Sequence, residues 1–269
     1  MVLDNTKSNK VIHNKLKICE FCSKELNPIG LEFLYENISS DVLEYERCTC
    51  TKAQEYWKEK DNQKNKAEKR KYFREIINKI YKKSYIEEKF QNMNFENFDI
   101  HSGNEIAIKV AKDYANKCVT KIQRNGLIIT GKSGIGKTHL AASIANKLIE
   151  NEQIVLMGRL TTLLDAIKET FGDSTKSESK LIELYSNVDM MIIDDLGTEK
   201  ISNWALEKIY TIIENRNENG LPIIITTRFD KCGLIERFSQ SQDVQLADAV
   251  ISKLYQMCYG IMIKNVQKS

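Results

Sequence analysis

Residues 126–138, Gly-Leu-Ile-Ile-Thr-Gly-Lys-Ser-Gly-Ile-Gly-Lys-Thr, decide the fold. The apolar run Gly126–Thr130 has the length of a buried strand, and Thr138 to Ile149 reads as a helix. Between them Gly131, Lys132, Ser133, Gly134, Ile135, Gly136, Lys137 and Thr138 fit G-x-x-x-x-G-K-[ST]. Glycines let main-chain amides turn inward around a phosphate, and the following helix points its positive end at the same anion. In this frame Lys137 reaches the β- and γ-phosphates of ATP and the Thr138 hydroxyl ligates Mg²⁺.

Working downstream, Met190-Met191-Ile192-Ile193-Asp194-Asp195 is an apolar strand that ends in two acids. Asp194 is expected to hold the magnesium, and Asp195 to orient or deprotonate the attacking water. At the end of the next apolar run, Pro222 to Thr226, the residues Thr226, Thr227 and Arg228 offer hydroxyl and guanidinium groups to the γ-phosphate.

The rest of the chain agrees with an alternating order of strands and helices. Ile106, Val110, Tyr114 and Cys118 recur every four residues on a helix that Asn104 is placed to cap. Ile154 to Met157 reads as a strand, Thr161 to Phe171 and Trp204 to Asn215 as helices, Ala247 to Cys258 as a last helix and Ile261 to Ile263 as a last strand. Five strands of buried type alternating with helices predict an α/β fold, a five-stranded parallel sheet with helices on both faces. Composition fits: 269 residues with only 2 prolines disfavour a sandwich of many short strands. No apolar run is long enough for a bilayer and the N-terminus lacks a secretion signal, so a soluble, cytoplasmic protein with no membrane partner is expected.

Upstream of this domain, expected over residues 86–269, the composition changes twice. Residues 51–83 carry 12 Lys/Arg against 5 Asp/Glu, with no Pro or Gly, in a chain whose net charge is only +3. They predict a long basic helix within a linker over 51–85, either a solvated connector or a helix that binds a polyanion or a partner. Residues 1–50 hold Cys19-x2-Cys22 and Cys48-x-Cys50, four of the chain's 7 cysteines. Two close thiol pairs without a secretory signal point to a tetrahedral Zn²⁺ site rather than disulfides, with His13 as a possible substitute ligand. Such a metal would hold together a segment too small for a core of its own.

Taken together, the segments FQNMNFENFD (90–99), GKSGIGKTHLA (131–141), MMIIDDLGTEK (190–200), WALEKIYTIIENR (204–216), PIIITTRFD (222–230) and SKLYQMC (252–258) resemble the AAA+ ATPases of the DnaC/DnaI type and the related IstB transposition helpers. The resemblance extends nucleotide contact from Gly131–Thr138 to His139 and gives the Lys253 position a role in hydrolysis across a subunit boundary. Three residues depart from the family pattern: Arg228 where Asn is frequent, Lys253 where arginine is usual, and Asp195 where many relatives carry Glu. Lysine supplies charge without the planar fork of arginine, which leaves Arg237 as an alternative in trans.

What the resemblance implies is an ATP-dependent loader of the hexameric replicative DNA helicase, which contacts single-stranded DNA and self-associates with nucleotide. Its N-terminal zinc module would grip the helicase. The alternatives are a transposition helper that assembles on duplex DNA and an adaptor that binds ATP without hydrolysing it.

Overall fold

The computed structural model describes residues 17–29, 44–83, 90, 92–100, 103–120, 123–169, 178–240 and 243–264. His13 and Phe171 lie outside them. The chain divides into two compact units, residues 1–69 and 70–269.

The first unit contains two short antiparallel pairs, β1 (Lys17–Ile18) with β2 (Glu25–Leu26) and β3 (Pro28–Ile29) with β4 (Glu44–Tyr45). Helix α1 (Thr51–Lys83) follows, begins in this unit and runs into the second. The apolar centre of the unit is small: Cys19, Cys48 and Ala53 are buried, with Leu26, Cys50 and Trp57 packed on them.

The second unit is the expected parallel sheet. Its strands are β5 (Gly126–Thr130), β6 (Val155–Arg159), β7 (Met190–Asp194), β8 (Ile223–Thr227) and β9 (Cys258–Met262), in the spatial order β6-β7-β8-β5-β9 with every pair parallel. Residues of each strand alternate between two cores, as a period of two requires. Ile129, Met157, Ile192 and Ile224 face α2 (Glu105–Val119) and α3 (Lys137–Glu150). Ile128, Leu156, Ile193 and Ile225 face α4 (Leu160–Lys168), α5 (Glu178–Asn187), α6 (Asn203–Glu218), α7 (Lys231–Ser239) and α8 (Val244–Met257). Phe73, in the last third of α1, is buried in this second core, and Arg70 pairs with Asp189 at 3.0 Å.

Several local readings need correction. On α2 the stripe of Ile106 and Val110 is not the buried one: Ile106 is 81% exposed, and Ala107, Ile108, Ala111, Tyr114, Ala115 and Cys118 face the core. Small alanines let α2 lie close to α3, so volume at the contact outweighs the hydrophobicity of the bulkier residues. Asn104 makes no side-chain cap; its amide donates to the Asp99 carbonyl instead. Helices α5 and α7 were not foreseen, and α8 runs without a loop into β9, which therefore starts three residues before the expected Ile261. Asp230 and Asp243 cap α7 and α8, accepting from the Gly233 and Leu246 amides.

Candidate functional site

Neighbouring strands β5 and β8 are followed by helices on opposite faces of the sheet, α3 on one and α7 on the other, and ligands of open α/β sheets gather outside the carboxyl ends of strands at such points. β5, β8 and β7 end side by side there. Gly134 and Gly136 have φ of 76° and 99°, the left-handed region that glycine occupies without steric cost. Gly136 also leaves the first turn of α3 without a side-chain cap, so its amides are available to an anion.

Lys137 is buried, and its ammonium donates to the carbonyls of Gly131 and Lys132 at 2.9 and 2.8 Å. Burial holds its pKa below the ordinary lysine value; Asp195 and Asp194 oppose that shift, and Arg228 adds to it. The positive charge of Arg228 thus reaches Lys137, a repulsion that a polyphosphate would relieve.

The Thr138 hydroxyl donates to Asp194 Oδ1 at 2.7 Å, joining the loop to the end of β7 across 56 positions. Thr226, fully buried on the strand between, donates to the same oxygen at 2.6 Å and accepts from the Asp195 amide at 2.8 Å. With its proton directed at Asp194, the Thr138 oxygen keeps its lone pairs for a cation. The donor set, one hydroxyl and one carboxylate beside the phosphate loop, suits Mg²⁺, which retains water and takes few protein oxygens. Asp195 itself is only partly buried and sits at φ 55°, an uncommon conformation for a residue other than glycine.

The remaining predicted residues divide. Arg228 is exposed at the end of β8. Thr227 is not brought to the loop: it is fully buried, donates to the Leu196 carbonyl at 2.7 Å and accepts from the Phe229 amide. Strand alternation explains the split, because Thr226 shares the face of Ile224 and Thr227 that of Ile225. Lys253 is tied within its own chain, to Glu214 at 3.1 Å. Arg237 likewise donates to the Gly197 and Thr198 carbonyls at 2.9 and 3.4 Å.

His139 faces the 92–98 segment: its Nε2 lies 3.0 Å from the Asn94 carbonyl and 2.9 Å from Asn97 Oδ1, which makes it the protonated nitrogen. Phe98 stacks edge-on against His139 and packs on Gly136 so closely that an added Cβ would come within 2.8 Å of its ring. A cavity of about 240 Å³ opens here, lined by Phe98, Asp99, Asn104, Ser133, Gly134 and His139 among others. Asn94, Asn97 and Phe98 were quoted only as part of a similar segment; no motif signals their packing against the loop.

In the first unit the four predicted thiols do meet. The sulfurs of Cys19, Cys22, Cys48 and Cys50 all lie within 4.8 Å of one another, with Cys19–Cys50 at 3.9 Å and Cys22–Cys48 at 3.5 Å. A tetrahedron of Zn–S bonds of about 2.3 Å has edges of about 3.8 Å, so the cluster fits that ion. The tight turn that presents Cys19 and Cys22 closes through the Cys19 amide on the Lys24 carbonyl and the Ser23 amide on the Cys19 carbonyl. The Phe21 amide draws the Cys19 pKa down to about 7. At Cys22 the Lys24 amide pulls the same way, but the neighbouring thiols and burial prevail and push it up to about 12. Four thiols this close cannot all ionise without a compensating cation.

Among the described residues no helix is long and apolar enough to cross a membrane. The chain is similar to the replicative helicase loader DnaC of Buchnera aphidicola subsp. Baizongia pistaciae, with 33% identity over 160 residues, 59% of this chain and 64% of that protein. With DnaC of Escherichia coli K12 it shares 32% over 147 residues, 54% and 59% of the two lengths. The replicative helicase loader DnaI of Bacillus subtilis 168 matches at 24% over 84% of this chain and 69% of its own. The chain therefore spans about three fifths of the DnaC relatives it matches. Among solved structures, DnaI is similar with a TM-score of 0.57 and 23% identity, over 67% of this chain and 95% of that one. The DnaC helicase loader follows with a TM-score of 0.53 and 25% identity, over 65% and 99%. The family model described as IstB-like ATP binding protein matches residues 65–268, which takes in residues 131–138 and both acids, and the chain belongs to that family.

Proposed function

We propose that this chain is an ATP-dependent loader of the replicative helicase. The observation that carries the nucleotide part is the convergence of Thr138 and Thr226 on a single oxygen of Asp194, which sets a hydroxyl and a carboxylate beside the phosphate loop. ATP would lie with its β- and γ-phosphates against the amides of residues 132–138 and the Lys137 ammonium, and its base in the cavity beside Phe98. Thr138 and Asp194 would hold a magnesium ion, which neutralises phosphate charge when bound. Asp195 orients and deprotonates the attacking water, and Arg228 meets the γ-phosphate.

Thr226 acts through the two acids, fixing their relative placement. Thr227 then supports the β7 turn rather than the phosphate. Lys253 reaches a neighbouring subunit's nucleotide only by leaving Glu214, so its action in trans would be conditional on assembly, and the same holds for Arg237 and its carbonyls. Self-association with nucleotide, and contact with single-stranded DNA, belong to this proposal.

The helicase role is supported by the similarity to DnaC and DnaI, which are replicative helicase loaders. Light scattering of the protein mixed with the hexameric replicative helicase of its source cell is expected to give a complex whose mass differs between ATP and ADP. Absence of a complex with either nucleotide, with ATP binding intact, would refute the loader role. ATP-dependent filaments on duplex DNA would then favour the transposition helper. A nucleotide-dependent complex with no turnover would favour the non-hydrolysing adaptor.

Residues 1–50 are proposed as the helicase-gripping zinc module, 51–85 as the linker and 86–269 as the motor. Elemental analysis of the purified chain is expected to find about one zinc per chain, lost on Cys48→Ser together with thermal stability of the N-terminal module. Metal-free wild-type protein with an unchanged N-terminal melting transition would exclude zinc.

A further inference from the structure

We propose that Glu199 is a positioning residue for hydrolysis at this site, a neutral carboxyl group that locks the turn carrying Asp195. The inference rests on the hydrolytic reading above and concerns the five residues after Asp194, whose polar atoms are nearly all committed. The Asp195 amide donates to Thr226 Oγ1 and the Leu196 amide to the Thr226 carbonyl. The Leu196 carbonyl accepts from Thr227, and those of Gly197 and Thr198 accept from Arg237. The Asp195 carbonyl accepts from Thr198 Oγ1 at 2.9 Å, and the same hydroxyl lies 3.0 Å from Glu199 Oε2.

A hydroxyl has one proton to give. If Glu199 were ionised, that single proton would have to serve the Asp195 carbonyl and a carboxylate together. The other carboxylate oxygen, Oε1, is buried with no hydrogen-bond partner among the described residues. If Glu199 is neutral the conflict disappears: Oε2–H donates to Thr198 Oγ1, Thr198 donates to the Asp195 carbonyl, and the orphaned Oε1 carries no share of a negative charge. Burial favours the neutral form and the nearby Asp195 carboxylate adds to it, against the smaller pull of the Thr198 hydroxyl and two main-chain amides. Of the other charged groups at this turn, the Arg237 guanidinium from α7 is engaged by carbonyls, and Lys200 is exposed to water.

The relay therefore ends on the main chain of a residue held at positive φ, whose side chain must meet the water. Loss of the Glu199 proton removes the donor to Thr198 and places a second anion beside Asp195, so the lock opens as pH rises through the raised pKa. Glutamine at 199 would keep a donor that never titrates. Neither a lone carboxylate nor its burial would single out this residue; the shared hydroxyl does.

Turnover of the full chain, with and without single-stranded DNA, would be measured from about pH 4.5 to pH 9, a range that begins near the ordinary glutamate value. Wild-type kcat is expected to fall on the alkaline side, while Glu199→Gln holds the low-pH plateau across the range. Glu199→Ala and Thr198→Val are expected to run about 10-fold below the plateau at every pH, with ATP affinity unchanged. An alkaline fall that persists in Glu199→Gln, or full kcat in Glu199→Ala, would overturn the proposal. A second readout needs no turnover: in chain labelled with ¹³C at glutamate carboxyls, the signal missing from Glu199→Gln is expected to titrate above the ordinary glutamate value of about 4.3. Titration at or below that value also overturns the proposal. A wild-type chain without turnover would instead count against the hydrolytic reading, and the carboxyl titration would still decide the proton on Glu199.

Discussion

Lys137→Ala is expected to raise the dissociation constant for ATP by about two orders of magnitude. The ammonium is held over the loop by the carbonyls of Gly131 and Lys132, so it is already placed for a ligand and little side-chain freedom is lost on binding. Hydrogen bonds to charged groups contribute roughly 1.5–3 kcal/mol each. Two such contacts to phosphate oxygens amount to about 3 kcal/mol or more, and each 1.4 kcal/mol is tenfold in affinity. Titration with a fluorescent ATP analogue measures the change, with circular dichroism to show that the fold is kept. Unaltered affinity would remove residues 131–138 from the nucleotide site.

Arg216→Met is expected to lower the stability of the second unit by roughly 3 kcal/mol or more. Arg216 on α6 is fully buried, and its guanidinium donates to the carbonyls of Tyr185, Val188 and Pro222. Tyr185 is in the last turn of α5, where carbonyls have no partner within the helix. Methionine replaces the apolar stem but leaves three buried acceptors, each costing about 1–3 kcal/mol if unpaired. Burial draws the guanidinium pKa down to about 9, with Tyr114 and Asp189 opposing, so at neutral pH the group is charged and its two terminal nitrogens serve these three carbonyls. Thermal unfolding should shift downward by about 10 °C for a domain of this size. A shift of only a degree or two would mean that water or repacking satisfies the three carbonyls.

Arg216 also shows where reading the sequence stops. In WALEKIYTIIENR it looks like an ordinary basic residue in the last turn of an amphipathic helix. Its partners come from α5 and from the loops before β7 and β8, which the chain brings together only on folding. Helix α5 was missed for a related reason, since it is short and only Leu184, Tyr185 and Ser186 are buried on it. The reading of α2 failed on its own evidence, because Ile106 and Val110 gave a four-residue repeat as convincing as the alanine-rich stripe that packs.

The sheet, by contrast, was legible because its strands are buried on both faces, and continuous apolar runs such as LIIT, MMII and PIIIT have no other stable placement in a chain of this composition. The phosphate loop was legible because its chemistry is local: glycine spacing, one lysine and one hydroxyl within eight residues. The cysteine pairs were legible for the same reason. Sequence alone thus determined the α/β class, the phosphate loop and the two acids.

Only the tertiary structure decided which strand-end hydroxyl meets Asp194 and which cations are held by their own chain. Those outcomes depend on distances between segments 30 to 60 residues apart. The spacing of residues along a strand or loop carries no information about them until the sheet order is set.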